Sequence, residues 1–320
     1  MENNELSKNA MGGTELMLKK LHDSLEPELI NECQIIPSRV RELHNDKIRI
    51  YWVHDLALDP EVQHLANKGW EKFHKIVFVS HYQMKDYITR FNIPWSKCIV
   101  MPNAINPIED HQKPDDVIRL VYTSTPHRGL NILYHVFDKL SQNHEDVELD
   151  VYSSFKLYGW PERDEQFKEL FDLLEQHPKI NYYGTKSNEE VREGLKNCHI
   201  FAYPSTWEET SCLCLMEAMS AGLVCVHPNY GALYETAANW TMMYHYHEDL
   251  NKHASMFYSI LNSTIADLKQ NKLSDTLRSQ KEYANVFYNW EARKQQWASL
   301  VRSLLNEPRE IPSAKFVYNY

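Results

Sequence analysis

The sequence has little positive charge and lacks the patterns that mark membrane-spanning or secreted chains. Its 44 Asp and Glu residues outnumber its 34 Lys and Arg residues, and the net charge is −10. Without a general basic field, we expect no nucleic-acid partner. No apolar run approaches the roughly 18 residues of a membrane span. The polar start MENNELSKNAMGG also lacks the apolar stretch of a signal peptide.

Disulfide and metal-ligand patterns are also missing. None of the six cysteines forms a Cys-x-x-Cys pair, and the sixteen histidines form no His-x-x-x-His pair. Cys212 and Cys214 are too close together to be natural disulfide partners, so we expect reduced thiols in a cytoplasmic protein. Dispersed histidines favour surface and core positions over a metal site.

Strands and helices alternate along the chain, without internal repeats or low-complexity segments. Strand-like apolar runs lie at 48–55, 75–80, 98–105, 117–125, 147–154, 179–184, 199–205 and 223–228. Helices are predicted at about 61–74, 81–91, 129–142, 163–176 and 188–196, then from about 211, with several more up to about 305. The polar segment 106–116, with two prolines, is the best linker candidate. This alternation predicts two doubly wound parallel-sheet domains facing a cleft.

Polar clusters fall at the predicted carboxyl ends of these strands, where ligands of such sheets bind. The clusters are His54-Asp55, Ser80, Asn103, Thr123–Arg128, Gly184–Lys186 and Pro204–Glu209. From the residues alone, alternatives remain open: a satisfied strand-end histidine at His54, a surface arginine before a helix at Arg128, and an ordinary strand-to-helix turn at Gly184.

The segment EETSCLCLMEAMSAG (208–222) carries two glutamates, Glu209 and Glu217, eight positions apart. A helix is predicted to start near Ser211 or Cys212, where free backbone N–H groups form an anion site. Glu217 would then lie about one and a half turns into the helix, close enough to hydrogen-bond a neutral polyol beside the anion. Spacing alone leaves open an N-capped amphipathic helix with two solvated carboxylates.

This segment resembles the Glu-x7-Glu signature of retaining family-4 glycosyltransferases, of the "glycosyl transferases group 1" type. Further motifs match in order along nearly the whole chain. MGGTEL (11–16) looks like the family's Gly-Gly-x-Glu loop, and WVHD (52–55) like its strand-end histidine. VFVSHY (77–82) and VMPNAI (100–105) resemble the strands that close its first domain. NWEARKQQW (289–297) resembles its C-terminal helix.

The resemblance implies the GT-B fold with two Rossmann-like domains. Residues 1–112 would form a short acceptor-side domain whose first strand is missing, and residues 113–285 the nucleotide-sugar domain. Residues 286–320 would form a helix packing back on the first domain, plus a tail. The implied reaction moves a hexose from a UDP- or GDP-sugar to a hydroxyl of a glycan, lipid or small molecule, with retention of configuration.

The resemblance also implies site residues. Arg128, His54 and Glu209 would take part in catalysis, with Arg128 and nearby amides stabilising the developing charge and Glu209 positioning the sugar. Glu217 would hold the ribose. The other expected donor contacts are Gly12, Gly13, Ser124, Tyr183, Gly184, Lys186, Thr210, Ser211, Cys212 and Leu213.

The phosphate-binding segment YTSTPHRGL (122–130) departs from the family pattern of "GR", a spacer and "KG". Arg128 stands where the Lys would be, and an arginine can grip diphosphate oxygens bidentately. Ser124 or Thr125 replaces the first Arg, so Lys186, His127 or helix N–H groups must compensate. No Asp-x-Asp occurs in the chain, so we expect charge neutralisation by protein groups and no metal cofactor.

Two other functions remain open: a sugar-nucleotide epimerase of the same fold, and a non-catalytic sugar-nucleotide-binding protein. The segment TELMLKKLHDSL (14–25) is a modest version of a membrane-docking helix, and a solvated face explains its lysines equally well. Peripheral membrane contact therefore stays open beside the cytoplasmic assignment.

Overall fold

A computed structural model describes residues 12–307. The residues form two compact units, one from residues 13–104 and 288–307 and the other from residues 105–287 together with Gly12. Each unit contains one parallel sheet with its own helices, which confirms the predicted α/β class. Residues 1–11 and 308–320 lie outside the described part, so Met11 of the Gly-Gly motif and the predicted tail are not placed.

The first unit has a four-stranded sheet in the order β1-β2-β3-β4. Its strands are β1 (Cys33–Pro37), β2 (Ile48–Val53), β3 (Lys75–Phe78) and β4 (Cys98–Val100). Its helices, numbered in chain order through both units, are α1 (Gly13–Ser24), α2 (Pro27–Glu32), α3 (His81–Phe91) and α11 (Trp290–Asn306). β2 pairs with β1 on one edge and β3 on the other, and all six of its residues are buried, as in a parallel strand whose sheet is covered on both faces.

Two features of the first unit differ from the prediction. The helix expected at 61–74 is wrong, since two short 3₁₀ segments, Pro60–Leu65 and Gly69–Lys72, occupy that stretch. Asn67 and Lys68 between them have φ of 51° and 63°, which interrupts a right-handed helix. The strand β1 was not predicted at all.

The second unit has a six-stranded sheet in the order β10-β9-β8-β5-β6-β7. Its strands are β5 (Ile118–Thr123), β6 (Val147–Tyr152), β7 (Ile180–Tyr182), β8 (Ile200–Ala202), β9 (Val224–Pro228) and β10 (Met242–Tyr244). Its helices are α4 (Leu130–Asn143), α5 (Lys168–Gln176), α6 (Asn188–Leu195), α7 (Leu213–Ser220), α8 (Leu233–Ala237), α9 (Leu250–Lys269) and α10 (Ser274–Phe287). From β5 the chain adds β6 and β7 on one side, and then β8, β9 and β10 on the other side of β5. The direction in which strands are added therefore reverses between β5 and β8, as in a doubly wound sheet.

Residues 105–113 are held tightly within the second unit. The backbone N–H of Ile108 donates to Ser220 Oγ at 2.8 Å. Lys113 Nζ donates to the carbonyls of Cys198 and Ala221 at 2.6 and 3.0 Å. The unit boundary at 104/105 therefore precedes the whole segment predicted as a linker, residues 106–116. The predicted domain limits at residues 112 and 285 stay a prediction.

Candidate functional site

The candidate site of the second unit lies at the carboxyl ends of the neighbouring strands β5 and β8, between which the strand order reverses. Parallel strands end at one edge, and the reversal between these two leaves a crevice there for a ligand. The chain leaves β5 through residues 124–129 and leaves β8 through residues 203–212. These two loops carry six of the fourteen predicted site residues: Ser124, Arg128, Glu209, Thr210, Ser211 and Cys212.

A close backbone approach joins the two loops at Gly129. Residues Pro126–Arg128 form a 3₁₀ turn, and Gly129 then adopts φ 99° before α4 begins. A Cβ at this position would lie 2.1 Å from the carbonyl oxygen of Pro204. Only glycine meets both demands, because it has no Cβ and accepts positive φ without strain. The turn places Arg128 directly against the β8 loop.

Arg128 and Glu209 form an ion pair across the two loops, in which Glu209 is buried and the Arg128 side chain is 20% exposed. Arg128 Nη1 lies 2.7 Å from Glu209 Oε1, and the Tyr203 hydroxyl donates to the same oxygen at 2.6 Å. Burial acts to lower the pKa of Arg128, but the charge of Glu209 and the interactions with Tyr203 and Tyr158 together outweigh burial, so the pKa lies well above its usual value. Burial also raises the pKa of Tyr203, so its hydroxyl stays protonated and donates.

The backbone of Glu209 is fixed as firmly as its side chain. The N–H of Ala232 donates to the Glu209 carbonyl at 2.7 Å. A Cβ on Gly231 would lie 2.5 Å from the Glu209 backbone nitrogen and oxygen. Because both ends of Glu209 are held, its carboxylate is presented at one position beside Arg128.

The helix α7 begins after Cys212, as predicted from the sequence. Leu213 is its first residue, and the first N–H groups of an α-helix have no partner within the helix. Thr210 and Ser211 lead into it, and the Ser211 Oγ is buried without a hydrogen bond to any described residue. Ser124 is buried at the end of β5. Cys214 Sγ donates to the Thr123 carbonyl at 2.8 Å, so the end of β5 contacts the first turn of α7.

Glu217 lies inside the unit and is held by α6. Asn188 Nδ2 lies 3.0 Å from Glu217 Oε1 and 3.3 Å from Oε2, and Arg192 Nη1 lies 3.2 Å from Oε1. Burial raises the pKa of the Glu217 carboxyl, and the contacts with Asn188 and Arg192 act against this shift. The alternative of a solvated carboxylate is therefore wrong for Glu217, and it is wrong for Glu209, which is also buried.

His127 packs against two aromatic rings beside Arg128. Its ring stacks on Phe155 at 5.2 Å and meets Trp207 edge-on at 4.9 Å. Burial, together with the charges of Arg128 and Arg163, lowers the pKa of His127 to about 4. The ring is therefore uncharged near neutral pH and can contribute a hydrogen bond only.

The residues predicted near the nucleobase follow β7. The Tyr183 ring stacks on Tyr152 at 4.7 Å, and Gly184 adopts φ 63° with no atom within 4 Å of the position that a Cβ would take. An open cavity of about 500 Å³ lies beside these two residues. Lys186 Nζ lies 3.4 Å from Glu190 Oε1, and both side chains are largely exposed.

The remaining predicted site residues belong to the first unit or border it. His54 follows β2, with its ring 4.6 Å from that of Trp52. Burial lowers the pKa of His54 to about 3, so the imidazole is uncharged at neutral pH. Gly12 is buried and directly precedes Gly13, the first residue of α1.

Comparison with known proteins decides the family. The family model "Glycosyl transferases group 1" matches residues 103–262, half of the 320-residue chain. The chain belongs to this family. The matched range contains the Arg128–Glu209 pair, the start of α7 and Glu217.

Relatives and solved structures agree with this membership. This group 1 chain is 22% identical over 256 residues to the phosphatidylinositol N-acetylglucosaminyltransferase GPI3 subunit of Saccharomyces cerevisiae, covering 72% of this chain and 55% of that protein. It thus spans about half the length of the curated relatives it matches. The glycosyltransferase from Rickettsia africae has a TM-score of 0.67 at 15% identity, covering 96% of this chain and 85% of that one.

The Anabaena protein HepE, solved in complex with UDP-glucose, has a TM-score of 0.62 at 16% identity, covering 80% of this chain and 72% of that one. These likenesses show the GT-B fold for this group 1 chain. Within residues 12–307, no helix is long and apolar enough to cross a membrane.

Sequence reasoning missed the residues that hold the two glutamates. Tyr203, Asn188 and Arg192 were not predicted as site residues. The available signal was weak: Tyr203 ends the strand before the motif, and the spacing of Asn188 and Arg192 puts both on one face of a helix. The ligand-binding roles predicted for the site residues stay predictions.

Proposed function

We propose that this chain transfers a hexose from a UDP- or GDP-sugar to a hydroxyl acceptor with retention of anomeric configuration. The ion pair between Arg128 and the buried Glu209, beside the start of α7, is the observation that carries the proposal. It supplies a cation for a diphosphate and a fixed carboxylate for the sugar within the segment that matches the family.

The donor would be held in three parts. The diphosphate would meet Arg128, Ser124 and the segment from Thr210 through Ser211 and Cys212 to the Leu213 amide, where the helix dipole favours negative charge. The ribose would bind Glu217. The base would lie near Tyr183, Gly184 and Lys186. Gly12 and Gly13 would allow the backbone to approach the donor closely, and His54 would hydrogen-bond a sugar hydroxyl through its neutral ring.

The proposed reaction replaces one bond at the anomeric carbon on a single face of the sugar. The bond from that carbon to the diphosphate oxygen breaks, and a bond to the acceptor oxygen forms. The acceptor's hydroxyl proton passes to the departing diphosphate, whose added charge Arg128 and the amides of α7 would stabilise. Glu209 accepts hydrogen bonds from Arg128 and Tyr203, so it positions the sugar and does not act as a general acid.

The similar proteins favour a UDP-sugar as the first donor to test, because HepE was solved with UDP-glucose. The GPI3 subunit acts on phosphatidylinositol according to its name, which supports a lipid among the glycan, lipid and small-molecule acceptors. We propose a cytoplasmic enzyme with peripheral membrane contact and with no metal cofactor.

The test is incubation of the full chain with a panel of UDP- and GDP-sugars. Release of free UDP or GDP that rises on addition of an acceptor supports transfer. NMR of the product then shows whether the anomeric configuration is retained. An epimerised donor would support the epimerase, and tight binding without turnover would support the binding protein. Either result would contradict the proposed transfer.

A further inference from the structure

We infer that Asn188 and Arg192 are positioning residues that aim one oxygen of Glu217, Oε2, at the ribose of the donor. The inference rests on the proposed function, since it takes Glu217 as the ribose contact. It assigns a role in ribose recognition to α6, a helix that lies outside the motif around Glu217.

The two residues stand on one face of a short, well-anchored helix. Asn188 and Arg192 are four positions apart, which places their side chains side by side along α6. A capping box fixes the start of this helix: Glu190 N–H donates to Ser187 Oγ at 3.2 Å, and Ser187 N–H donates to Glu190 Oε2 at 3.0 Å. The face that meets Glu217 is therefore held in place.

The contacts divide unequally between the two oxygens of Glu217. Oε1 accepts from Asn188 at 3.0 Å and from Arg192 at 3.2 Å, whereas Oε2 takes only the longer 3.3 Å contact with Asn188. A carboxylate oxygen has about two lone-pair sites. Oε1 is therefore filled by protein donors, and Oε2 keeps acceptor capacity for a ligand hydroxyl.

The charge of Arg192 also keeps Glu217 ionised and able to accept a hydrogen bond. Glu217 is almost fully buried, and a buried carboxylate without donors tends to take up a proton. A protonated carboxyl would lose acceptor capacity toward a ribose hydroxyl. Arg192 opposes protonation with a positive charge 3.2 Å from Oε1. The Arg192 guanidinium is also held on its other side, where Nη2 donates to the Pro107 carbonyl at 3.4 Å.

The inference is tested by how well variants distinguish UDP from its deoxy analogues. The affinities of the wild type, Asn188→Ala and Arg192→Met for UDP, 2′-deoxy-UDP and 3′-deoxy-UDP are measured by calorimetry, or with the GDP series if GDP binds more tightly. The wild type should prefer UDP to at least one deoxy analogue about tenfold or more. In both variants this ratio should fall toward about twofold, because Oε2 is no longer aimed.

The matched control is Lys196→Met, which removes an ion pair with Glu193 at the end of α6. It should keep the wild-type ratio. A second readout is the pH dependence of UDP binding. Arg192→Met should lose affinity at a higher pH than the wild type as the solution is acidified, because Glu217 without its cation protonates more readily.

Each other outcome counts against the inference. If folded variants lose affinity equally for UDP and both deoxy analogues, the two residues have only a structural role and the inference is wrong. The same holds if the ratio and the pH profile stay unchanged. If the wild type binds neither UDP nor GDP, the proposed function fails and the inference fails with it.

Discussion

Arg128 and Glu209 lie 81 positions apart in the chain and meet at 2.7 Å inside the second unit. The same carboxylate oxygen also accepts the hydroxyl of Tyr203. If Arg128 alone is removed, the buried Glu209 carboxylate loses its opposite charge. If both residues are replaced by apolar ones, no unpaired charge remains in the interior. The same ion pair therefore contributes to the stability of the second unit and fixes the positions of two site residues.

A double-mutant cycle measures this coupling. Arg128→Met alone should lower the free energy of unfolding by about 3–5 kcal/mol. Arg128→Met with Glu209→Leu should cost clearly less than the sum of the two single changes. Urea denaturation gives all four values, and donor turnover should be lost in each variant. As a control, Arg278→Met breaks the exposed pair with Asp275 and should cost no more than about 1 kcal/mol. Additive costs at Arg128 and Glu209 would show that the pair is not coupled.

Tyr203→Phe tests whether the hydroxyl of Tyr203 orients Glu209. The ring keeps its packing, but a hydrogen bond to a charged acceptor is lost, which should cost about 1.5–3 kcal/mol. We expect kcat for the hexose transfer to fall at least tenfold, because Glu209 can then rotate. Tyr244→Phe is the matched control, since the buried Tyr244 hydroxyl lies 3.1 Å from His253 Nε2. It should cost stability but leave kcat unchanged, and a similar kcat in both variants would contradict the orienting role.

Gly129→Ala should be far more damaging than Gly184→Ala. Both glycines have positive φ, of 99° and 63°, where an L side chain costs about 1–2 kcal/mol. At Gly129 the added methyl would also meet the Pro204 carbonyl at 2.1 Å, whereas nothing lies within 4 Å at Gly184. Thermal unfolding should show a small loss at Gly184 and a much larger loss at Gly129. Equal losses would mean that the two loops can separate without cost.

His227 should make the protein less stable in mild acid. The side chain is fully buried, and Nε2 lies 2.8 Å from Thr241 Oγ1. Burial lowers the pKa of His227 to about 4, while an unfolded histidine has a pKa of about 6.5. Between these values the unfolded chain binds one more proton, so stability falls as the pH falls, by about 1.4 kcal/mol per pH unit.

The measurement compares urea unfolding at pH 7 and pH 5 for the wild type and His227→Gln. The wild type should lose about 2 kcal/mol more than the variant over this interval, because glutamine does not titrate. The exposed His135 provides the control, and His135→Gln should keep the wild-type dependence. A variant as acid-sensitive as the wild type would show that other groups cause the loss.

Local sequence patterns predicted the strands and the helix that position the site. The ends of β5 and β8 and the start of α7 follow from apolar runs and the polar residues after them, which depend on neighbours in the sequence. The same reasoning failed at 61–74, where the left-handed residues Asn67 and Lys68 break an apparent helical pattern. The short strand β1 was missed because five residues carry little periodicity.

The contacts within the site could not be predicted in the same way. Asn188 is 29 positions from Glu217, and Arg192 is 25 positions from it. Their meeting depends on how α6 and α7 pack, which no local pattern encodes. The uncharged state of His127 likewise depends on burial beside Phe155 and Trp207, so the sequence left it as a candidate cation.

The hydrogen bonds of Ile108 and Lys113 within the second unit matter for anyone who recombines domains among these proteins. A chimera that exchanges the donor half should be joined near Ala104, before these contacts begin. A junction after Lys113 would leave the Ser220 hydroxyl and the Cys198 and Ala221 carbonyls facing a foreign segment. Because residues 106–116 are polar and contain two prolines, they resemble a linker in which a junction could be placed. Their hydrogen bonds nevertheless make them part of the second unit.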